Sequence, residues 1–516
     1  MSRFLTHILM LDLETTGSGG IRPCGAIFKG RVFEKRKREE NTMKRRVKWS
    51  MVGTGIVLVV SVAAAGLFMR KAGPIGSGFV SKYLCSSTFI SHRDPEVVFR
   101  EDVVPVNPLA PFFDYRIDYE NKSVTADAHG LFGMTAIYRE GCGCSLVIGT
   151  TEAAMRKQTF VPPDFSATRP VRPSDLPWPD GSGGPENPAA LGIDVEKLDA
   201  AMKDAFREPS PDNPRKTRAV VVVYDGKLVA ERYADGVHKD MPLLGWSMAK
   251  SITNALVGIL VKDGRLDIRK PAPVPEWQAA NDPRKAITLD ELLRMSSGLS
   301  FEEVYKPLYD ATDMLYGSYD FAAFAARKQL ETPPDGKWYY SSGTANIVAR
   351  IVRQTVEKDT PHYYRFIYDR LFDRIGMLSA VMEPDSSGTF VGSSYGFATP
   401  RDWARFGLLY VNDGVWQGER ILPEGWVAYS TTPTPKAPKG EYGAFFWLNA
   451  GAPGDPGNRL WPHAPRDAYA AQGFQEQKVI IIPSRKAVLV RFGATADRKA
   501  WDTDAFIAGV LAALPE

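Results

Sequence analysis

Strand-like segments at both ends of the region 191–516, with helical sequence between them, constrain the fold of this chain more than any other feature. The first two segments are joined by Asp225-Gly226, a dipeptide typical of tight hairpin turns. The second two precede a predicted final helix. One sheet assembled from both ends of the region accounts for this order, so we expect an α+β domain. The strand-like segments are 218–224, 228–233, 478–483 and 487–492, and the final helix is 501–514.

A charge-free segment at 49–69 predicts one membrane-spanning helix. A helix of this length crosses a hydrocarbon core of roughly 30 Å. Basic residues precede it, so the positive-inside rule places residues 1–48 in the cytoplasm and the rest of the chain outside. We therefore expect a single-pass protein of the cytoplasmic (inner) membrane. A cleaved signal peptide that starts at Met43, with its cleavage site at 63–65, is the alternative, and it exports the same part of the chain.

Charge is unevenly distributed along the chain. The formal net charge is +4, but residues 1–48 hold 12 Lys and Arg against 5 Asp and Glu, which gives this arm +7 and leaves the rest at −3. A slightly acidic body argues against a nucleic-acid partner. If translation begins at Met43, the residues before it are an upstream extension.

The region 72–190 is expected to form a small accessory β-rich module followed by a linker. Short strand-like runs occur within 124–147, and glycine and proline dominate 180–185. No motif in this region indicates a site. We therefore assign the chemistry to the region 191–516.

Cysteine and histidine positions bear on the redox compartment and on metal binding. In an oxidising compartment we expect Cys85 to form a disulfide with Cys142 or Cys144. The Cys-Gly-Cys spacing is too tight for a usual zinc pair, and the 6 histidines are not paired at ligand spacing. The sequence therefore predicts no metal ion, and it implies no organic cofactor.

Ser247 and Lys250 lie at the start of a predicted helix with one apolar face. Residues three apart share a helix face, so the Lys250 side chain can reach the Ser247 hydroxyl. Serine needs a neighbouring base to act as a nucleophile, and a desolvated lysine with a lowered pKa is such a base. The same pattern also occurs as a capping serine beside a solvated lysine, so other motifs must decide.

Tyr340 lies beside two serines, just before a predicted helix at 345–356. The serines can cap that helix. The structural interpretation of the tyrosine is a half-buried ring with one bonded hydroxyl. The functional interpretation is a phenol beside a cation, which passes a proton between a nucleophile and a leaving group.

These motifs together resemble those of the serine β-lactamase and penicillin-binding-protein superfamily, in its class C and esterase-like branch. The family's Ser-x-x-Lys motif matches at Ser247 and Lys250, and its Tyr-x-Asn motif matches at Tyr340, with Ser342 in place of the asparagine. The segments 292–299 and 397–407 look most like those of 6-aminohexanoate-dimer (nylon-oligomer) hydrolases. The resemblance implies a β-lactamase-like fold, with an antiparallel sheet flanked by helices plus a helical subdomain.

The resemblance also implies a role for each matched residue. Ser247 is expected to be the nucleophile, Lys250 its base and Tyr340 the proton relay. The backbone amides of Ser247 and Phe474 are expected to form the oxyanion hole. The family's third motif falls at 471–473, where Ala471 replaces the basic residue that helps to hold a substrate carboxylate in β-lactamases and carboxypeptidases. The residues expected in the substrate pocket are Ser342, Gly473, Tyr305 and Tyr395.

We therefore expect a membrane-anchored, exported serine hydrolase that cleaves a small ester or linear amide through a Ser247 acyl-enzyme. The alternatives are a penicillin-binding or sensing protein that is acylated with little turnover, and a D-Ala-D-Ala carboxypeptidase or β-lactamase. An α/β-hydrolase would use the Gly-x-Ser-x-Gly pattern at 392–396, but no apolar strand precedes it and only His463 follows it. The sequence indicates neither the natural substrate nor the oligomeric state.

Overall fold

The computed structural model describes residues 25–158, 169–357 and 363–516. The first half of the predicted basic arm, 1–24, lies outside the described residues. The chain divides into two compact units, Met1–Met69 and Arg70–Glu516. The second unit contains both the region 72–190 and the region 191–516, so a separate accessory module stays a prediction.

The longest element is the helix Gly25–Phe89, which contains the predicted membrane segment 49–69 and continues through Pro74. Among the described residues, its part Phe33–Phe89 is the one helix long and apolar enough to cross a membrane, and a signal sequence meets the same criterion. The membrane-spanning segment predicted from the sequence ends at residue 69. The helix continues instead, and Val80, Leu84 and Cys85 are buried in the second unit.

The remaining elements follow in chain order. The other helices are Pro95–Val98, Glu152–Arg156, Val195–Phe206, Ala249–Lys262, Leu289–Leu293, Asp310–Gly317, Phe321–Ala326, Ser342–Glu357, Tyr363–Ile367, Pro400–Val411, Trp426–Ser430 and Thr503–Leu511. The strands are β1 (Asp114–Asp118), β2 (Ser123–Ala128), β3 (Leu131–Arg139), β4 (Gly143–Leu146), β5 (Thr217–Tyr224), β6 (Lys227–Tyr233), β7 (Leu243–Leu244), β8 (Val381–Met382), β9 (Gly396–Ala398), β10 (Val415–Trp416), β11 (Glu419–Arg420), β12 (Trp447–Leu448), β13 (Tyr469–Gly473), β14 (Gln477–Ile482) and β15 (Ala487–Gly493).

The main sheet has six strands in the order β12-β13-β14-β15-β5-β6, all antiparallel. Its centre joins the two ends of the region, since Val221 on β5 pairs with Val490 on β15. Side chains alternate between the two faces of a strand, so β5 contributes to two cores. Val221 and Val223 pack on one face with the helix that follows Ser247, whereas Val220 and Val222 pack on the other with Val195–Phe206 and Thr503–Leu511.

A four-stranded antiparallel sheet, β1-β2-β3-β4, lies in the region 72–190. The disulfide Cys85–Cys144 joins β4 to the long helix, and Cys142 is a buried free thiol. Of the two pairings predicted from the sequence, the structure therefore has the one with Cys144. Burial raises the pKa of the Cys142 thiol to about 12.

A buried ion pair fastens this region to the segment that precedes β9. Lys82 Nζ contacts a Glu383 carboxylate oxygen, and both side chains are almost fully buried. Ser86 Oγ and the backbone N–H of Cys144 donate to the other oxygen of Glu383, at 2.8 and 2.6 Å. Removing one partner would leave a buried charge unpaired, which is strongly destabilising. These contacts therefore fix the part of the long helix after Arg70 within the second unit.

Candidate active site

Ser247 lies in a short 3-10 turn, Trp246–Met248, between β7 and the helix Ala249–Lys262. The preceding residue, Trp246, has a φ of 48°, a left-handed conformation that is costly for a bulky side chain. Such strain persists only where the surrounding structure enforces it, and it concentrates at functional sites. The turn leaves Ser247 half-buried and accessible while its neighbours are buried.

Lys250 lies one turn further along, with its ammonium group facing Ser247. Its Nζ is 3.1 Å from Ser247 Oγ, 3.1 Å from Ser342 Oγ and 3.0 Å from the backbone oxygen of Ser393. The side chain is 1% exposed. The sequence spacing therefore predicted correctly that these two side chains share a face.

Burial lowers the pKa of Lys250 from its ordinary value to about 8, and the nearby charge of Glu303 opposes this shift. Desolvation disfavours the charged form of an amine. A lysine with this pKa is partly neutral near neutral pH, which is the condition for accepting a proton from a hydroxyl group.

Tyr340 packs over the same ammonium group, with Lys250 Nζ 4.6 Å from its ring centroid. Burial raises the pKa of Tyr340 and Glu303 adds to the rise, while a side-chain hydrogen bond with Ser247 opposes it. The phenol is therefore neutral and retains its proton. Trp447 and Tyr442 hold the ring, with centroids 5.5 and 5.7 Å away.

Ser342, the first residue of the helix Ser342–Glu357, connects Lys250 to a carboxylate. Its Oγ donates to Glu303 Oε1 at 2.6 Å, and its backbone N–H donates to Oε2 at 2.7 Å. The hydroxyl of Tyr305 donates to the same Oε1 at 2.8 Å. A continuous series of polar contacts therefore runs from Ser247 through Lys250 and Ser342 to Glu303.

The end of β13 lies directly beside the turn that holds Ser247. A Cβ placed on Gly473 would come within 2.1 Å of the backbone oxygen of Gly245, so only glycine permits this approach. The next residue, Phe474, packs its ring edge-on against Trp246 at 5.6 Å. Gln475 and Glu476 then have φ of 61° and 65°, so strained backbone flanks both proposed oxyanion donors.

At the third motif, Ala471 is buried on β13 and pairs with Val479. The nearby Lys478 does not replace the missing cation, because it is 2% exposed and its Nζ is 2.9 Å from a Glu476 carboxylate oxygen. The same Nζ donates to Gln472 Oε1 at 2.8 Å.

Tyr395, the fourth residue predicted for the pocket, is buried, and its ring lies 6.3 Å from that of Trp246. In the structure the Tyr395 ring therefore packs against the ring of Trp246. The competing elbow serine Ser394 is 1% exposed and its Oγ lies 2.9 Å from Ser393 Oγ. The one histidine that follows, His463, contacts Asp504 at an exposed position.

Comparison with known proteins agrees with this geometry. Residues 202–511, more than half of the chain, match the profile of the family described as Beta-lactamase. The chain belongs to this family. This family match confirms the predicted membership of the serine β-lactamase and penicillin-binding-protein superfamily, and with it the β-lactamase-like α+β fold.

Three relatives show the range of proteins that this β-lactamase family member is similar to. A 6-aminohexanoate-dimer hydrolase of Paenarthrobacter ureafaciens is 24% identical over 264 residues, which cover 47% of this chain and 64% of the relative. The structure of a putative 6-aminohexanoate-dimer hydrolase from Bacillus anthracis is 25% identical, with a TM-score of 0.49 over 62% of this chain and 83% of its own. A penicillin-binding protein homolog from Caulobacter crescentus is 15% identical, with a TM-score of 0.47 over 63% and 99%.

Glu303, together with Glu302 and Tyr305, follows the segment 292–299, and the sequence alone leaves a pocket edge and a solvated loop as the alternatives for it. Its contacts with Ser342 join residues 39 positions apart in the chain. The sequence offers one local signal for Glu303, which is its position two residues before Tyr305.

Proposed function

We propose that this protein is a serine hydrolase that cleaves an ester or linear amide through an acyl-enzyme on Ser247. The 3.1 Å contact between Lys250 Nζ and Ser247 Oγ carries the proposal, because it joins a nucleophile to a buried base with a pKa of about 8. Neither group needs a metal ion for this chemistry.

Acylation begins when neutral Lys250 accepts the Ser247 proton as Oγ attacks the substrate carbonyl carbon. The carbonyl oxygen gains negative charge, and the backbone N–H groups of Ser247 and Phe474 stabilise it, each worth roughly 3 kcal/mol. Tyr340 then donates its proton to the leaving alcohol or amine as the acyl bond breaks, and recovers a proton from Lys250. Water attacks the acyl-enzyme by the reverse sequence and releases the acid.

The third motif favours a substrate without a recognised carboxylate. Ala471 is apolar and buried, and Lys478, which contacts the adjacent Gln472, is already paired with Glu476. A β-lactam or a D-Ala-D-Ala peptide presents a carboxylate to this position in the family. An ester or linear amide need not place a carboxylate at this position, and the relative named for the 6-aminohexanoate dimer is consistent with a linear amide.

We further propose that the protein is exported and anchored by residues 49–69, with the catalytic region on the periplasmic or extracellular side. The most apolar window of the long helix is unburied, as a lipid-facing segment requires. The disulfide Cys85–Cys144 supports export, because disulfides persist in oxidising compartments.

Intact-mass and turnover measurements on the full chain test the hydrolase proposal. The substrates are a panel of p-nitrophenyl acyl esters, a linear ω-amino amide and a penicillin. Ser247→Ala is expected to abolish turnover and acylation without unfolding the protein. Ser394→Ala, in the competing Gly-x-Ser-x-Gly segment, is the matched control and is expected to retain acylation at position 247.

Two outcomes contradict the proposal. Retained turnover in Ser247→Ala would move the nucleophile elsewhere. A stable mass adduct at Ser247 without turnover, from penicillin alone, would instead identify a penicillin-binding or sensing protein.

A further inference from the structure

A cavity of about 350 Å³ opens beside the candidate active site. This volume falls within the range of small-molecule pockets. Three of the residues that line it are close to the proposed reacting groups. Trp246 precedes Ser247, and the backbone amide of Phe474 is the second proposed oxyanion donor. The Tyr305 hydroxyl donates a hydrogen bond to Glu303. The rings of Tyr305 and Phe474 stack at 5.9 Å and form one side of the opening.

The opposite walls come from outside the region that matches the family profile. Ile75 and Phe79 belong to the long helix, and Val106 belongs to the segment between the helix Pro95–Val98 and β1. The family match begins only at residue 202. The region 72–190, in which the sequence indicated no site, thus supplies part of the wall of a cavity that Trp246, the residue before Ser247, also lines.

The lining of the cavity is uncharged. Among the described residues, none of those that line it is an Asp, Glu, Lys, Arg or His. Aromatic and aliphatic side chains dominate, and the polar groups are those of Asn107, Thr312 and the tyrosines. A free ammonium or carboxylate would lose its hydration here without gaining a partner, whereas a hydrocarbon chain gains by leaving water.

We propose that this cavity binds the acyl chain of the substrate, and that the substrate is an ester or amide of a medium- or long-chain fatty acid. The inference rests on the proposed function, since the hydrocarbon chain is attached to the carbonyl carbon that Ser247 attacks. The acyl bond to the alcohol or amine breaks, the acyl group passes to Ser247 Oγ, and water releases it as the free acid.

Two sources of such a chain are compatible with the site. One is a dispersed acyl ester, and the other is a bilayer lipid, because Ile75 follows closely on the charge-free segment 49–69 in the sequence. Both present the same hydrocarbon chain to the cavity. The experiment below separates them.

The test measures kcat/KM for p-nitrophenyl esters from acetyl to dodecanoyl, with the full chain held in amphipol. We expect kcat/KM to rise by about two- to fourfold per methylene until the cavity is filled. A parallel assay follows fatty-acid release from phosphatidylethanolamine–phosphatidylglycerol vesicles. Release from vesicles assigns the bilayer source, and turnover of the dispersed esters alone assigns the other.

Two variants link the preference to the cavity. Val106→Trp and Ala496→Trp, on different segments of the lining, are each expected to lower the dodecanoyl-to-acetyl ratio of kcat/KM at least tenfold. Leu109→Trp is the control, because Leu109 is exposed in the same loop as Val106 and does not line the cavity.

The outcomes separate the two proposals. A wild-type enzyme that turns over acetyl and dodecanoyl esters equally, or a preference unchanged in both lining variants, overturns the acyl-chain inference and leaves the hydrolase proposal intact. Absence of turnover for every ester, the acetyl ester included, and for the linear ω-amino amide overturns the hydrolase proposal itself.

Discussion

Ser342 Oγ donates a 2.6 Å hydrogen bond to Glu303 Oε1 and at the same time lies 3.1 Å from Lys250 Nζ. In the family motif an asparagine occupies this position. The serine side chain is shorter than that of asparagine. Its hydroxyl donates to Glu303 while it accepts from Lys250. The proposed base is therefore linked to a carboxylate through a single hydroxyl group.

Replacing that carboxylate should change the pH dependence of the enzyme. Glu303→Gln removes the negative charge that raises the pKa of Lys250, so the acid limb of the kcat/KM profile should move to lower pH. Weaker positioning of Ser342 should also lower kcat by about tenfold. Glu302→Gln is the matched control, and an unshifted profile in Glu303→Gln would show that the carboxylate has a packing role only.

The wild-type profile follows from the pKa of Lys250. The lysine must be neutral to accept the Ser247 proton, and its pKa is about 8. We therefore expect kcat/KM to rise by about tenfold per pH unit below 8 and to level off above it. Lys250→Met should lower kcat at least ~1,000-fold, because it removes the proposed base. The variant should remain folded, since an apolar side chain replaces a buried amine. Lys203→Met, an exposed lysine on another helix, is the control, and a profile that falls between pH 7 and 9 would contradict Lys250 as the base.

The close approach of Gly473 to Gly245 predicts a sharp effect of a single methyl group. Gly473→Ala would place a Cβ 2.1 Å from the Gly245 oxygen, which must push the end of β13 away from the Ser247 turn. If the Phe474 amide stabilises the oxyanion, kcat should fall by about 100-fold. Gly184→Ala, where the added Cβ meets nothing within 4 Å, should have wild-type kcat. Thermal melts of both variants identify any loss that is due to unfolding.

The disulfide predicts how reduction affects stability. Cys85 and Cys144 are 59 residues apart, and closing a loop of that length stabilises the folded state by about 4 kcal/mol. We expect the double variant Cys85→Ser, Cys144→Ser to unfold at lower urea concentration, and a phosphine reductant to lower the wild-type midpoint to the same value. Cys142→Ala lacks this effect because Cys142 is a free thiol. Equal midpoints with and without reductant would argue that the bond contributes nothing.

Local sequence patterns predicted those features whose residues lie close together in the sequence. The spacing of Ser247 and Lys250 is enough to place both on one helix face, and the Asp225-Gly226 turn is enough to predict the β5–β6 hairpin. Identification of Tyr340 needed the family resemblance as well. These features are encoded within a few positions of each other.

Other features depend on the tertiary fold. The contact of Glu303 with Ser342 arises where a loop meets the start of a helix. Gly73-Pro74 resembles a helix end, but burial of Val80 and Leu84 against the body stabilises the helix beyond it. The choice of Cys144 over Cys142 depends on which side chain β4 turns toward the long helix. None of these is visible in a local pattern.

The central position of β15 has a consequence for the order in which the protein folds. β5 is flanked by β6 and by β15, and β15 (Ala487–Gly493) lies far from β5 in the sequence. The hairpin β5–β6 is synthesised early but keeps an open, valine-rich edge until the last strand arrives. Such non-local pairing slows folding and exposes the chain to aggregation. We therefore expect the growing chain to be prone to self-association until β15 is complete.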